Sequence, residues 1–254
     1  MKRAAYLAYG TGAYLFFAGC LFYAIGFVGD FGVPKSINSG EPGPLGAAMA
    51  INVALLGLFA LQHSGMARRG FKNVITKLVP KEMERSTYVA ATCGVLAMLF
   101  VFWEPMPTVI WQVDTIAAAV ALQALSLTGW AIVALSTINI DHFDLFGMRQ
   151  TWLAFIGKQY RDLGFRTPGL YKWVRHPIQT GFLIAFWATP TMTYGHLLFA
   201  AMCTGYIFFA VKVLEERDLL REHPERYQAY MDQVGGFVPK RLAPAADVQV
   251  RATN

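Results

Sequence analysis

Charge is what this sequence has least of. Only 15% of its 254 residues are Asp, Glu, Lys or Arg, against 55% that are hydrophobic. A soluble domain of this size carries about a quarter charged residues. The composition therefore excludes an ordinary water-soluble globule, and the mean hydropathy of +0.38 agrees. Cysteine is scarce too. Cys20, Cys93 and Cys203 are the only three, each lies inside an apolar stretch, and no two share a short motif. That spacing excludes a disulfide framework or a zinc site and leaves small buried apolar residues. No metal ligand set is expected. There is no internal repeat and no low-complexity tract, so the chain reads as a single domain over 1–241 followed by a disordered tail, 242–254.

What the chain has instead is apolar runs long enough for lipid. A spanning helix needs about 20 such residues. Runs of this kind occupy 6–28, 45–66, 86–103 and 115–137. A last stretch, 178–213, is broken by "TPTMTYGH" at 189–196 and reads as a helical hairpin whose first arm is short for a full crossing. The expected fold is all-α: a polytopic membrane helix bundle of five to six transmembrane segments, the last pair a hairpin, with a long cytoplasmic loop and a C-terminal helix. Lys2 and Arg3 ahead of the first run, with "FAGC" inside it, imitate a secretion signal. The run continues past Cys20 to Val28, which is long for a signal core, so a retained membrane anchor is expected.

The net charge is +6 and the pI about 9.3, but the basic residues do not form a nucleic-acid surface. Arg68, Arg69, Lys72, Lys77, Lys81 and Arg85 fill one connection, and those from Arg149 to Arg175 fill another. The glycine- and proline-rich connection at 29–46 holds only Lys35. This alternation is the positive-inside pattern. It puts both termini, the 67–85 loop and the 138–177 loop in the cytoplasm, in a bacterial inner membrane. The expected partner is the lipid bilayer; no nucleic acid and no protein partner is implied.

Ionisable groups near membrane depth are functional candidates. In "LYKWVRHPIQTGFL", 170–183, Arg175, His176 and Pro177 stand just before an apolar run. Taken singly they are unremarkable: Arg175 snorkels, His176 sits at the interface, Pro177 occupies a first helical turn. Taken together they mark a helix N-terminus, where free N–H groups and positive potential attract anions. Arg175 adds a bidentate carboxylate clamp, and Gly181 permits close approach of a ligand or of another helix. Glu215 and Glu216 follow the last apolar run; one of the two should face the interior, and Glu215 or Glu216 is placed to hold an ammonium. A ligand with both groups is an amino acid, or a cofactor carrying one. His63, beside Gln62 at a helix end, is either interfacial or part of a site.

"RHPIQTG", followed by "EERDLLREHPERYQAY", resembles the cofactor-binding half of the isoprenylcysteine carboxyl methyltransferase-like membrane methyltransferases. That family reads Arg-His-Pro-x-Tyr-x-Gly, then Glu-Glu-x-x-Leu and Tyr-x-x-Tyr. Within it, "NIDHFDLFGMRQTWLAF", "FRTPGLYKWVRHP", "LQHSGMARRGFK", "ERSTYV" and "FWATPTMTYGHLLFA" look like the methanethiol S-methyltransferase branch. The resemblance covers roughly 50–240. Gln179 stands where the superfamily often has Tyr, and Pro224 where Gly is common.

The resemblance implies S-adenosyl-L-methionine as cofactor, held by Arg175, His176, Pro177, Gln179, Gly181, Glu215, Glu216 and Tyr227. It implies methyl transfer to methanethiol, a small volatile thiol, giving dimethyl sulfide. The thiolate is the nucleophile and an alkanethiol is mostly protonated near neutrality, so a base is useful. His142 and Asp144 of "DHFDLF" are the catalytic candidates, or an ordinary polar loop. Phe143 and Phe146 either shape a thiol pocket or pack. Arg149 and Gln150 orient the loop or touch a ligand, and His63 completes the substrate candidates. Two rivals stand beside this reading: a lipid or prenylcysteine acceptor, and a haem-binding electron carrier using His63, His142 and His176. All three histidines lie near helix ends, which disfavours axial haem ligation.

Overall fold

The structure, a computed structural model, describes residues 1–240 and Pro244. The tail expected over 242–254 lies, that proline apart, outside the described residues. In lipid every backbone N–H and C=O must be satisfied within the segment, so long apolar runs become helices. The elements follow in order as α1 (Lys2–Gly29), α2 (Leu45–Ala67), α3 (Arg69–Ile75), α4 (Lys81–Phe102), β1 (Val109–Gln112) and α5 (Ile116–Ile140). Then come α6 (His142–Leu145), α7 (Met148–Phe155), α8 (Pro177–Trp187), β2 (Thr191–Thr193), α9 (Tyr194–Phe209), α10 (Glu216–Glu222) and α11 (Pro224–Gln233). A π-helical turn over Ala210–Glu215 joins α9 to α10 into one continuous rod.

Five helices among the described residues are long and apolar enough to cross a membrane: α1, α2, α4, α5 and the composite Tyr194–Glu222. The chain is a polytopic, all-α integral membrane protein. The hairpin's first arm, α8, has 11 residues. At 1.5 Å per residue it rises about 16 Å, roughly half of a ~30 Å hydrocarbon core. The interruption after it is also more ordered than expected. Thr191–Thr193 pairs antiparallel with Val109–Gln112, Gln112 opposite Thr191, in a two-stranded ribbon that an all-helical expectation did not include.

The described chain forms two compact units. The first comprises Met1–Ala119, Phe143–Asp162 and Pro190–Met202. Its core at one end is aromatic: Phe27 meets Phe100 at 5.1 Å and Trp103 edge-on at 6.0 Å. Asn52, fully buried on α2, donates to the Glu104 carbonyl at 2.7 Å and accepts from the Glu104 N–H at 2.9 Å. It satisfies a backbone that would otherwise be stranded where α4 ends. The Trp103 indole donates to the Ile37 carbonyl at 3.1 Å and ties down the 30–44 connection.

The second unit takes in Val120–His142, Leu163–Thr189 and the chain from Cys203. Here α5 and α8 touch backbone to backbone. A Cβ on Gly129 would lie 2.6 Å from the Ala185 nitrogen, and one on Gly181 2.6 Å from the Gly129 carbonyl. Small residues let helices approach this closely where lipid offers no hydrophobic drive. Ser126 seals the crossing by donating to the Ala185 carbonyl at 2.9 Å. The C-terminal region, expected as one helix, is broken. His223 leaves helical geometry (φ −139°, ψ 61°) and Pro224 opens α11. A proline has no N–H to continue the helix, and its ring clashes with the preceding turn. The break lets Tyr227, Tyr230 and Val234 bury against Phe165, Leu219 and Leu220.

Candidate active site

The cluster in the second unit starts from a strap that the chain folds back on itself. After α11, Gly235 and Gly236 run beside residues 174–176. The Arg175 N–H donates to the Gly235 carbonyl at 2.8 Å and the His176 N–H to the Gly236 carbonyl at 3.1 Å. A side chain on Gly235 would run into the Val238 carbonyl, so the strap needs glycine there. With their backbones held, Arg175 and His176 turn their side chains to Glu216. Arg175 donates from Nη2 at 2.6 Å and from Nε at 3.1 Å to the same Oε1, and from Nη1 to the Val234 carbonyl at 2.5 Å. His176 Nε2 lies 3.1 Å from that Oε1. Lys212, one turn earlier, donates to Oε2 at 3.1 Å. The side chains of Arg175 and Glu216 are 5% and 6% exposed. A buried ion pair survives desolvation only with such extra hydrogen bonds.

Glu215 points differently. Its side chain is 45% exposed, accepts from Gln179 Nε2 at 3.3 Å, and lies 3.7 Å from His176 Nδ1. The π turn ends on this residue, and π insertions recur at functional sites because they re-aim side chains within a helix. Pro177 occupies the first turn of α8, with His176 as the residue before it.

Burial works against a proton on His176, but the neighbouring carboxylates of Glu215 and Glu216 outweigh it and raise its pKa above the ordinary 6.5. A raised folded-state value means that protonation stabilises the fold. The contribution is complete below pH 6.5 and is lost as pH rises through the raised value. Thermal unfolding in detergent should therefore show a midpoint that falls as pH climbs from 6.5 into the alkaline range. His176→Gln should flatten that fall; an unchanged slope would detach it from this residue.

Two buried atoms of the cluster have no hydrogen-bond partner among the described residues: His176 Nδ1 and Tyr227 Oη. The two residues are 2% and 1% exposed. Buried polar groups are nearly always paired, and an unmet one costs about 1–3 kcal/mol. These open valences, the exposed Glu215 carboxylate and the helix start at Pro177 fit a ligand carrying both an ammonium and a carboxylate.

The remaining polar groups divide between the units. In the first, Asp144 Oδ1 accepts from Arg149 at 2.9 Å and Gln150 at 3.3 Å, and Oδ2 accepts from Tyr160 at 3.2 Å. Burial, then the Asp144 charge, pushes the Tyr160 hydroxyl up. Phe146 stacks on Phe17 of α1 at 3.7 Å, and Phe143 lies 5.8 Å from Tyr14. His63 stacks on Phe59 at 5.2 Å and meets the Tyr88 hydroxyl at 3.0 Å. In the second unit, His142 Nδ1 lies 2.8 Å from Thr137 Oγ1. Burial lowers the pKa of His142, with Asp141 pulling the other way.

The chain is 50% identical over 239 residues to the methanethiol S-methyltransferase of Mycobacterium tuberculosis, across 94% of this chain and 98% of that protein. It is 48% identical over 241 residues to methanethiol S-methyltransferase 2 of Bradyrhizobium diazoefficiens, across 95% and 92% of the two chains. The chain belongs to the methanethiol S-methyltransferase family. Nurim of Bos taurus is a more distant relative, 26% identical over 226 residues, covering 84% of this chain and 85% of that one. No protein-family model and no solved structure matches.

For a member of this family, the residues read from sequence as cofactor contacts all fall in the second unit. Arg175, His176, Gln179, Glu215 and Glu216 are linked by direct contacts, and Tyr227 brings an open hydroxyl. Gly181 had two possible partners, a ligand or a helix, and it is the helix α5 that approaches. Arg175 is not a spare clamp, because three of its N–H groups go to Glu216 and Val234. Of the residues read as thiol contacts, Phe143, Phe146, Arg149, Gln150 and His63 belong to the first unit. Phe146 is stacked on α1. Sequence reasoning missed Lys212, Thr137, Tyr160 and the Gly235–Gly236 strap. Lys212 was legible as an i,i+4 partner of Glu216, and the glycine pair in "VGGF" as a turn or close backbone approach.

Proposed function

We propose that this protein transfers a methyl group from S-adenosyl-L-methionine to methanethiol, yielding dimethyl sulfide and S-adenosylhomocysteine at a membrane-embedded site. The observation that carries the reading is near-full-length identity of 45–50% to proteins named methanethiol S-methyltransferase. S-adenosyl-L-methionine, when bound, supplies an electrophilic methyl group on a sulfonium whose amino-acid end bears an ammonium and a carboxylate. The open groups of the second unit are complementary to that end. Glu215 is the partner for the ammonium, being the glutamate not consumed by Arg175. The Tyr227 hydroxyl and the N-terminus of α8 receive the carboxylate. Arg175 and Glu216 lock one another and hold the strap against α8. His142 takes the thiol proton, since burial keeps the ring neutral and ready to accept. Apolar surroundings withhold water from the thiolate and fix its approach. A small apolar thiol and thioether enter and leave through lipid.

The orientation belongs to the same reading: both termini and the 138–177 loop in the cytoplasm of a bacterial cell, where the cofactor is made, and the protein in its inner membrane. Reporter fusions at residues 40 and 160 should give opposite signals, with 160 inside. Residue 160 outside would overturn it. The acceptor is tested by supplying membranes containing the protein with S-adenosyl-L-methionine and, separately, methanethiol, a prenylated cysteine peptide or phosphatidylethanolamine. Methanethiol should be the preferred acceptor; a preference for either of the others would replace this function with lipid or prenylcysteine methylation.

A further inference from the structure

We propose that Thr137, at the end of α5, is a positioning residue that fixes the tautomer of His142, so that the ring exchanges its proton only at Nε2. The catalytic value of this rests on His142 being the base proposed above; the tautomer itself rests on the geometry alone.

Helix α5 ends at Ile140, and Asp141 follows with φ +113°. Only glycine visits such a conformation readily, so a side-chain-bearing residue held there is strained. The surroundings enforce it. The Asp141 N–H donates to the Thr137 carbonyl at 3.2 Å. Arg166 donates to the Ile140 carbonyl, and its Nη2 lies 3.7 Å from the Asp141 carboxylate. Asn139 accepts from the Leu170 N–H at 2.8 Å and pins the arriving 166–172 segment to the same helix end. The reversal at Asp141 brings His142 back over the last turn of α5, onto a threonine five residues earlier.

Thr137 is 5% exposed, and its Oγ1 lies 2.8 Å from two atoms, the Ala134 carbonyl oxygen and His142 Nδ1. A hydroxyl has one proton to give. A carbonyl oxygen can only accept, so the pair of contacts is satisfied together when Thr137 donates to Ala134 and Nδ1 donates to Thr137. In the opposite tautomer Nδ1 only accepts, so the hydroxyl must donate to it, which leaves the Thr137 and Ala134 oxygens 2.8 Å apart with no proton between them. A neutral ring with its proton on Nδ1 carries its lone pair on Nε2. The imidazolium also donates from Nδ1, so the bond to Thr137 persists when the ring takes up a proton, and only Nε2 changes. A carboxylate often plays this orienting role for a histidine, but that of Asp144 is held by Arg149, Gln150 and Tyr160. A hydroxyl does it without adding a charge. Asp141, whose carboxylate is shared with Arg166, is a charged group that acts on His142.

The test is nitrogen-15 NMR of the histidine rings in the full-length protein in detergent, alongside turnover. Neutral His142 in the wild type should show the Nδ1–H pattern. Thr137→Val should shift it toward Nε2–H. The same variant should lower kcat by at least about tenfold, short of the ~10²–10⁴-fold of losing a base outright, with cofactor affinity unchanged. Thr137→Ser should restore both. A wild-type His142 in the Nε2–H form overturns the proposal whether or not any variant folds. So does Thr137→Val with the wild-type tautomer and turnover. The expected tautomer together with normal turnover in His142→Ala would uphold the lock and remove His142 from the proposed chemistry.

Discussion

His142→Ala should lower methyl transfer to methanethiol by about 10²–10⁴-fold, the usual worth of a positioned base. The expectation follows from the substrate. A thiol near neutral pH is mostly protonated, and only its thiolate attacks a sulfonium methyl. Burial of His142 lowers its pKa from 6.5, so at neutral pH the ring is unprotonated and competent as a base. Raising the pH supplies thiolate directly, so the variant's deficit should shrink as pH rises, while cofactor affinity stays at the wild-type value. Asp144→Asn is the control. Asp144 accepts from three side chains, Arg149, Gln150 and Tyr160, so its substitution should loosen the loop and cost less turnover than His142→Ala. A pH–rate series on wild type, both single variants and the double decides. A larger loss in Asp144→Asn, with cofactor binding intact, would make Asp144 the base.

Arg175→Ala should destabilise the protein by about 3–5 kcal/mol, the cost of leaving a buried carboxylate unpaired. Glu216→Ala should do the same from the other side. Both side chains are nearly solvent-free, at 5% and 6% exposure, so water cannot replace the missing partner. The two losses should not add, because the double variant removes both charges together. Arg175→Lys should fail to rescue. One ammonium cannot supply the Nε and Nη2 bonds to Glu216 and the Nη1 bond to Val234 together. Lys212→Ala should cost far less, since its side chain is 53% exposed and exposed pairs contribute about 0–1 kcal/mol. Unfolding of each variant in detergent, with and without S-adenosyl-L-methionine, measures this. Additive losses from Arg175 and Glu216 would contradict the pair.

The spanning helices were legible because lipid leaves an apolar run of 20 residues almost no alternative to helix. Their ends were less so. His223 breaks the C-terminal helix through Pro224, a residue whose effect a hydropathy reading passes over. The short ribbon of β1 and β2 depends on a partner strand far away in sequence. In the site, Arg175, His176 and the Glu215–Glu216 pair were readable as a set because charge is so rare in this chain that each instance stands out. Which glutamate turns inward was not readable, because the π turn that sets their direction leaves no signature in composition. Thr137 was invisible for a different reason. A threonine near a helix end is ordinary, and its role exists only once Asp141 has bent the chain back.

The most direct measurement supplies the purified protein in lipid vesicles with methanethiol and S-adenosyl-L-methionine bearing a deuterated methyl group. Mass spectrometry then reads the headspace. The expected result is dimethyl sulfide carrying one labelled and one unlabelled methyl, formed in step with S-adenosylhomocysteine and absent when the thiol is omitted. Consumption of the donor without labelled dimethyl sulfide, or no consumption by folded protein that binds the donor, would contradict the account.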